Sequence, residues 1–170
     1  MRRAAVALAL AMPGSAGIAH AQAIPHLTPH GYGPARIGMT RAQVERAIGT
    51  RLEGEALDDP FQCIELFNDR GHVGLIFMFE RDRLTRITIT EDSSATTPRG
   101  IGVDATIAQV RRAYPRGLRN EPHHYTGPQG RYLTYWLRSG RGVRFETDPN
   151  GRVRNIHAGT ASIRYVEGCA

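Results

Sequence analysis

The stretch Thr40-Arg41-Ala42-Gln43-Val44-Glu45-Arg46-Ala47 returns as Thr106-Ile107-Ala108-Gln109-Val110-Arg111-Arg112-Ala113, with six of eight positions identical. Each copy opens as a helix. Thr40 with Gln43, and Thr106 with Gln109, form T-x-x-Q capping boxes, in which the hydroxyl accepts the third residue's amide and the Gln side chain reaches back. Met39 before the first cap and Val44 after it suit a hydrophobic staple, and Val44, Ala47 and Ile48 share one helical face. Gly49 can take the left-handed stop of the first helix, while Pro115 ends the second.

Working outward, each copy follows a Gly-rich lead, Gly31 to Gly38 in the first and Gly100-Ile101-Gly102 in the second. A second correspondence comes after the helices. Gly74-Leu75-Ile76-Phe77 through Ile87 parallels Gly142-Val143-Arg144-Phe145 through Ile156. Two matches in the same order read as an internal duplication. The alternation predicts antiparallel strands over residues 61–67, 74–79 and 84–90, then over 132–137, 142–147, 153–158 and 163–166. In the third of these, Ile87 and Ile89 face one side and Arg86, Thr88 and Thr90 the other. Asp148-Pro149-Asn150-Gly151 reads as a hairpin turn. The expectation is an α+β fold of two tandem repeats, each a short helix packed on an antiparallel β-meander. Residues 1–23 are a signal peptide and 24–30 an extended arm. The first repeat spans 31–90, a polar linker 91–99, and the second repeat 100–169.

The signal reading rests on Arg2-Arg3, the short apolar stretch Ala4 to Met12, and small residues that allow cleavage after Ala21 or Ala23. That stretch falls far below the roughly 20 residues that span a bilayer. With no Cys at the cleavage site, no lipid anchor is expected. Cys63 and Cys169 then sit in an oxidising compartment, where two cysteines allow one connectivity, so a structural disulfide is expected. Charge adds little. All 22 basic residues are Arg, against 16 acidic residues. They are scattered singly or in pairs, which argues against a nucleic-acid partner.

Gly38-Met39-Thr40-Arg41-Ala42-Gln43-Val44, a helix start before a β-meander, resembles the small outer-membrane assembly lipoproteins of the BamE/SmpA type. Two such units in tandem resemble the β-lactamase inhibitor proteins. The chain is also similar to a set of uncharacterised exported bacterial proteins with Arg36-Ile37-Gly38-Met39-Thr40, a Tyr-Thr-Gly-Pro segment and a Tyr-Val-Glu-Gly-Cys end. The tandem resemblance implies a protein-binding role, including inhibition of a secreted enzyme.

Stock catalytic signatures are absent from the sequence: there is no G-x-S-x-G, H-E-x-x-H, C-x-x-C or Walker loop. His26 and His30 are four apart, but Pro25 and Pro29 make the helix that such a metal spacing needs improbable. Asp58-Asp59 reads as solvent-facing loop, and His72 and His157 as ordinary surface or edge residues. Functional groups concentrate in His123 to Trp136, with three of the six tyrosines and the only Trp. That segment serves either as packing or as a site. As a site it offers His124, Tyr125, Arg131, Tyr132 and Trp136, whose flat rings with polar tips suit sugars or a protein hot spot. For catalysis His124 would need a carboxylate, with Glu121 and Glu146 the candidates. The expected function is therefore an exported, non-enzymatic binding protein with a protein or envelope-glycan partner and no cofactor or metal. The rivals are an inhibitor of a secreted hydrolase, a carbohydrate-binding module and a small hydrolase using His124.

Overall fold

A computed structural model describes residues 25–54, 62–68 and 73–169. The signal segment, Asp58-Asp59, Phe61 and His72 lie outside them. Both repeated octamers are helices, α1 (Arg41–Ile48) and α2 (Ile107–Ala113), and both capping boxes form with both of their hydrogen bonds. Gly49 closes α1 in the left-handed conformation at φ 74°. Ten strands complete the described secondary structure, with a single 3-10 turn at Ala161–Arg164.

The expectation of two helix-on-meander repeats is corrected here. The strands β4 (Cys63–Phe67), β5 (Leu75–Glu80), β6 (Arg83–Ile89), β7 (Leu118–His123), β8 (Gly127–Trp136), β9 (Gly142–Thr147) and β10 (Val153–Gly159) form one antiparallel sheet. Its order is β4-β5-β6-β10-β9-β8-β7. The join is the pairing of β6 with β10, from Ile89 opposite Ile156 to Arg86 opposite Gly159. Pairing these two strands satisfies the backbone groups that two separate meanders would have left open at their edges. Helix content is also too small for two layered units. Helices of eight and seven residues are about 12 and 10 Å long, whereas seven strands span about 29 Å.

One core results. Leu75, Ile89, Ile156, Phe145 and Leu133 lie in a single cross-strand row over five strands, all buried. Val44 of α1 and Val110 of α2 pack into the same cluster. The rest of that face is covered by the chain's beginning. Three two-residue strands, β1 (Leu27–Thr28), β2 (Gly31–Tyr32) and β3 (Ala35–Arg36), form a small sheet that buries Leu27, Tyr32 and Ala35. The extended arm is thus packed, with Leu27 N donating to Thr96 O at 2.9 Å. Gly31 is obligatory there, since a Cβ would fall 2.0 Å from the Ala35 carbonyl oxygen.

Two further differences follow from the single sheet. Residues 163–166 do not form a strand: the segment crosses the second face of the sheet, where no strand edge is on offer, and turns into the 3-10 turn. The edge strand β7 was not expected. Its Pro122 is tolerated where one side of a strand faces no neighbour.

Candidate functional site

The second face of the sheet is polar, yet its centre is buried. Thr88, His157, Arg144 and Thr134 form one cross-strand row, with Glu146 and Tyr132 in the next. Arg86, Thr88, Thr134, Arg144 and His157 are all buried. The cover is the C-terminal segment 160–169. Ile163 is 0% exposed, and its side chain lies over Gly142, where a Cβ would come within 3.1 Å of it. Arg86 Nη1 donates to the carbonyls of Ser162 and Tyr165, both at 3.2 Å, while Nη2 pairs with Glu65. The expected disulfide, Cys63 to Cys169, ties the end of the segment to β4.

Glu146 organises the buried network. His123 Nε2 lies 2.7 Å from one of its oxygens, and His157 Nε2 lies 3.2 Å from the other. His123 Nδ1 accepts the backbone N–H groups of Tyr125 and Thr126, which leaves the ring proton on Nε2, donated to Glu146. Burial disfavours the Glu146 anion, but hydrogen bonds from His157 and His123 outweigh it and hold its pKa at about 2. Burial pushes the His157 imidazole down, so the ring is neutral at pH 7. The Tyr132 ring stacks on His123 with centroids 4.7 Å apart, and the Arg144 guanidinium sits 3.8 Å from the same ring centroid.

Thr88 Oγ1 lies 2.9 Å from His157 Nδ1, so Thr88, His157 and Glu146 share the connectivity of a hydroxyl–imidazole–carboxylate relay. Thr88 is only 4% exposed in the middle of the sheet, which denies a substrate carbonyl the approach that nucleophilic attack requires. The network is a rigid support. Among the described residues, no group of three or more His, Cys, Asp or Glu side chains is placed to hold a metal ion.

The accessible feature lies beside the C-terminal segment. A half-open groove of about 870 Å³ runs between the C-terminal segment and the β7–β8 hairpin. His124 and Tyr125 line it from the hairpin, Glu80 and Arg81 from the β5–β6 turn, and Tyr165 to Cys169 from the segment. Tyr125 is 61% exposed, Tyr165 45% and Val166 43%. The phenol of Tyr165 donates to Glu80 Oε1 at 2.9 Å, and that of Tyr125 donates to Glu167.

The five residues singled out from sequence therefore part company. His124 and Tyr125 meet in the groove, with ring centroids 4.8 Å apart at 87°. Tyr132 is buried beneath, at 6% exposure. Trp136 lies on the same face as Tyr132 but beside Gly142, and strand alternation puts Arg131 on the opposite face. The carboxylate partner goes to His123 rather than to His124, because strand alternation puts His123 on the polar face with Glu121 and Glu146. Sequence reasoning missed Tyr165, Glu80 and Glu167. The one available signal for the first and last was their place just before Cys169, whose bond fixes them. The chain matches no family model, no curated protein and no solved structure.

Proposed function

We propose that this is an exported, non-enzymatic binding protein, active in the periplasm or outside the cell, that takes its partner in the groove beside the C-terminal segment. One observation carries the reading. Of the five large hydrophobic side chains exposed among the described residues, three, Tyr125, Tyr165 and Val166, line this one groove. Clustered exposed aromatic surface marks an interaction site, whereas scattered apolar residues do not. The Thr88–His157–Glu146 relay, with its hydroxyl sealed from solvent, supports binding over turnover. The disulfide, of a kind that persists in oxidising compartments, supports export.

The test is affinity capture from an envelope extract with the mature oxidised protein, in parallel with a Tyr125→Ala/Tyr165→Ala variant of unchanged melting temperature. A partner retained by the wild type and lost by the variant is the expected result. Equal retention by both would move the site elsewhere. Hydrolysis of an envelope polymer by the wild type, abolished in His157→Gln, would replace the binding reading with an enzymatic one.

A further inference from the structure

We infer that the groove takes a neutral oligosaccharide, laid with its C–H faces on the rings of Tyr125 and Tyr165 and its hydroxyls toward Glu80, Glu167, Arg81 and His124. The inference rests on the groove being the binding site proposed above.

The rings come first. Each phenol is held at its tip by a carboxylate, Tyr165 by Glu80 and Tyr125 by Glu167, so both rings are fixed at their polar ends while their bodies stay exposed. A platform ordered before binding loses little rotamer freedom when a ligand arrives. A flat apolar face with a polar rim is also the shape that a pyranose ring presents.

The polar groups are of both kinds. Glu80 and Glu167 are acceptors with lone pairs left after receiving one phenol each, while the Arg81 guanidinium is a donor and the His124 imidazole serves as either. Sugar hydroxyls donate and accept at once, and so match a mixed rim. A strongly charged ligand does not. Two carboxylates repel an anionic polymer, and Arg81 opposes a basic peptide in the same space.

The hairpin turn sets the position of Arg81 at the groove's end. Arg81 and Asp82 form the two-residue turn of the β5–β6 hairpin in the left-handed region, at φ 49° and 57°, where Gly or Asn would be less strained. Gln62, whose carbonyl accepts from Arg81 N at 2.9 Å, is also left-handed, at φ 53°. Three of the four non-glycine residues with positive φ among the described residues therefore gather at this end of the groove. A two-residue hairpin of this kind needs both central residues left-handed, so the turn fixes the backbone from which Arg81 reaches the groove.

The experiment is isothermal titration of the mature oxidised protein with three probes: a hexamer of β-1,4-linked N-acetylglucosamine, a hexamer of β-1,4-linked glucose, and an uncharged extended peptide of similar length. Tyr125→Ala, Tyr165→Ala and Arg81→Ala are titrated alongside. All three side chains line an open groove, so the variants are expected to melt within about 2 °C of the wild type. A hexasaccharide should bind, and each tyrosine truncation should weaken it about tenfold or more. Saccharide binding that ignores both tyrosine variants overturns the inference. If the peptide alone binds, and Tyr125→Ala weakens it, the saccharide is overturned and the groove stands as the site. If the wild type binds none of the three probes, the saccharide is again overturned, and the capture experiment above decides the groove separately.

Discussion

His123 Nε2 lies 2.7 Å from Glu146 Oε1, a contact between residues 23 positions apart that closes the polar face of the sheet around one half-buried carboxylate. Because His157 holds the other oxygen, the anion is the state the fold stabilises. The pH dependence of stability follows from two groups. His157 is held below its ordinary value of 6.5, so the unfolded chain takes up a proton there before the folded one does. Stability is therefore lost as pH falls through 6.5. Glu146 is held below 4.5, at about 2, so its contribution is full above 4.5 and disappears as pH falls toward 2. That displacement corresponds to about 3 kcal/mol. Thermal melts from pH 8 to pH 3 should show both losses, and His157→Gln should flatten the one near 6.5. A melting temperature independent of pH down to 3 would remove the network from the stability balance.

Glu146→Gln is expected to cost more than a surface charge would. The amide keeps one acceptor but turns an N–H toward one of the two imidazole N–H donors. A loss of about 2–4 kcal/mol in urea unfolding is expected. Trp136, the only tryptophan, supplies the fluorescence signal.

Breaking the Cys63–Cys169 bond opens a closure of 106 residues, worth at most about 4–5 kcal/mol of unfolded-state entropy. The structural effect should be local. Residues 165–169 lose their covalent tie and one wall of the groove, while Ile163 stays buried over Gly142. Hydrogen exchange on the reduced protein should rise across 165–169 and stay low at 163. Equal rises at both would mean that the bond holds the whole segment.

Gly142→Ala tests the seat of that segment. The new Cβ would fall 2.7 Å from the Tyr135 carbonyl oxygen and 2.8 Å from the Trp136 ring. The carbonyl belongs to the neighbouring strand's backbone and cannot step aside. A loss of about 1–3 kcal/mol is expected, with a shift in Trp136 emission.

The duplicated helix starts give the simplest prediction. Thr40→Ala and Thr106→Ala each remove a hydroxyl that accepts from the N3 amide at 3.2 Å. Each should cost about 1 kcal/mol, and the double variant should show the sum. A strongly non-additive double variant would mean that the two helices communicate through the shared core.

What could be read from the sequence is what is settled within a few residues. Thr40 and Gln43 meet because they are three apart on a helix. Ile87 and Ile89 share a face because the strand period is two. The cysteine pair could be read for a different reason: two cysteines leave one pairing to make. The groove was half legible. His124 and Tyr125 stood out as ring-bearing loop residues, but their counterparts Tyr165, Glu80 and Glu167 come from two other parts of the chain.

The sequence by itself determined the capped helices, the shared side of Ile87 and Ile89 in β6, and the identity of the disulfide. These depend on local hydrogen bonding, on side-chain period and on a count. Only the tertiary structure decided that β6 pairs with β10, that the C-terminal segment lies on the polar face as a turn, and that Glu146 belongs to His123. Those choices join residues 23 to 79 positions apart. Which of several similar strand edges meet is set by how all the apolar faces can be buried at once, a condition on the whole chain that no single stretch contains.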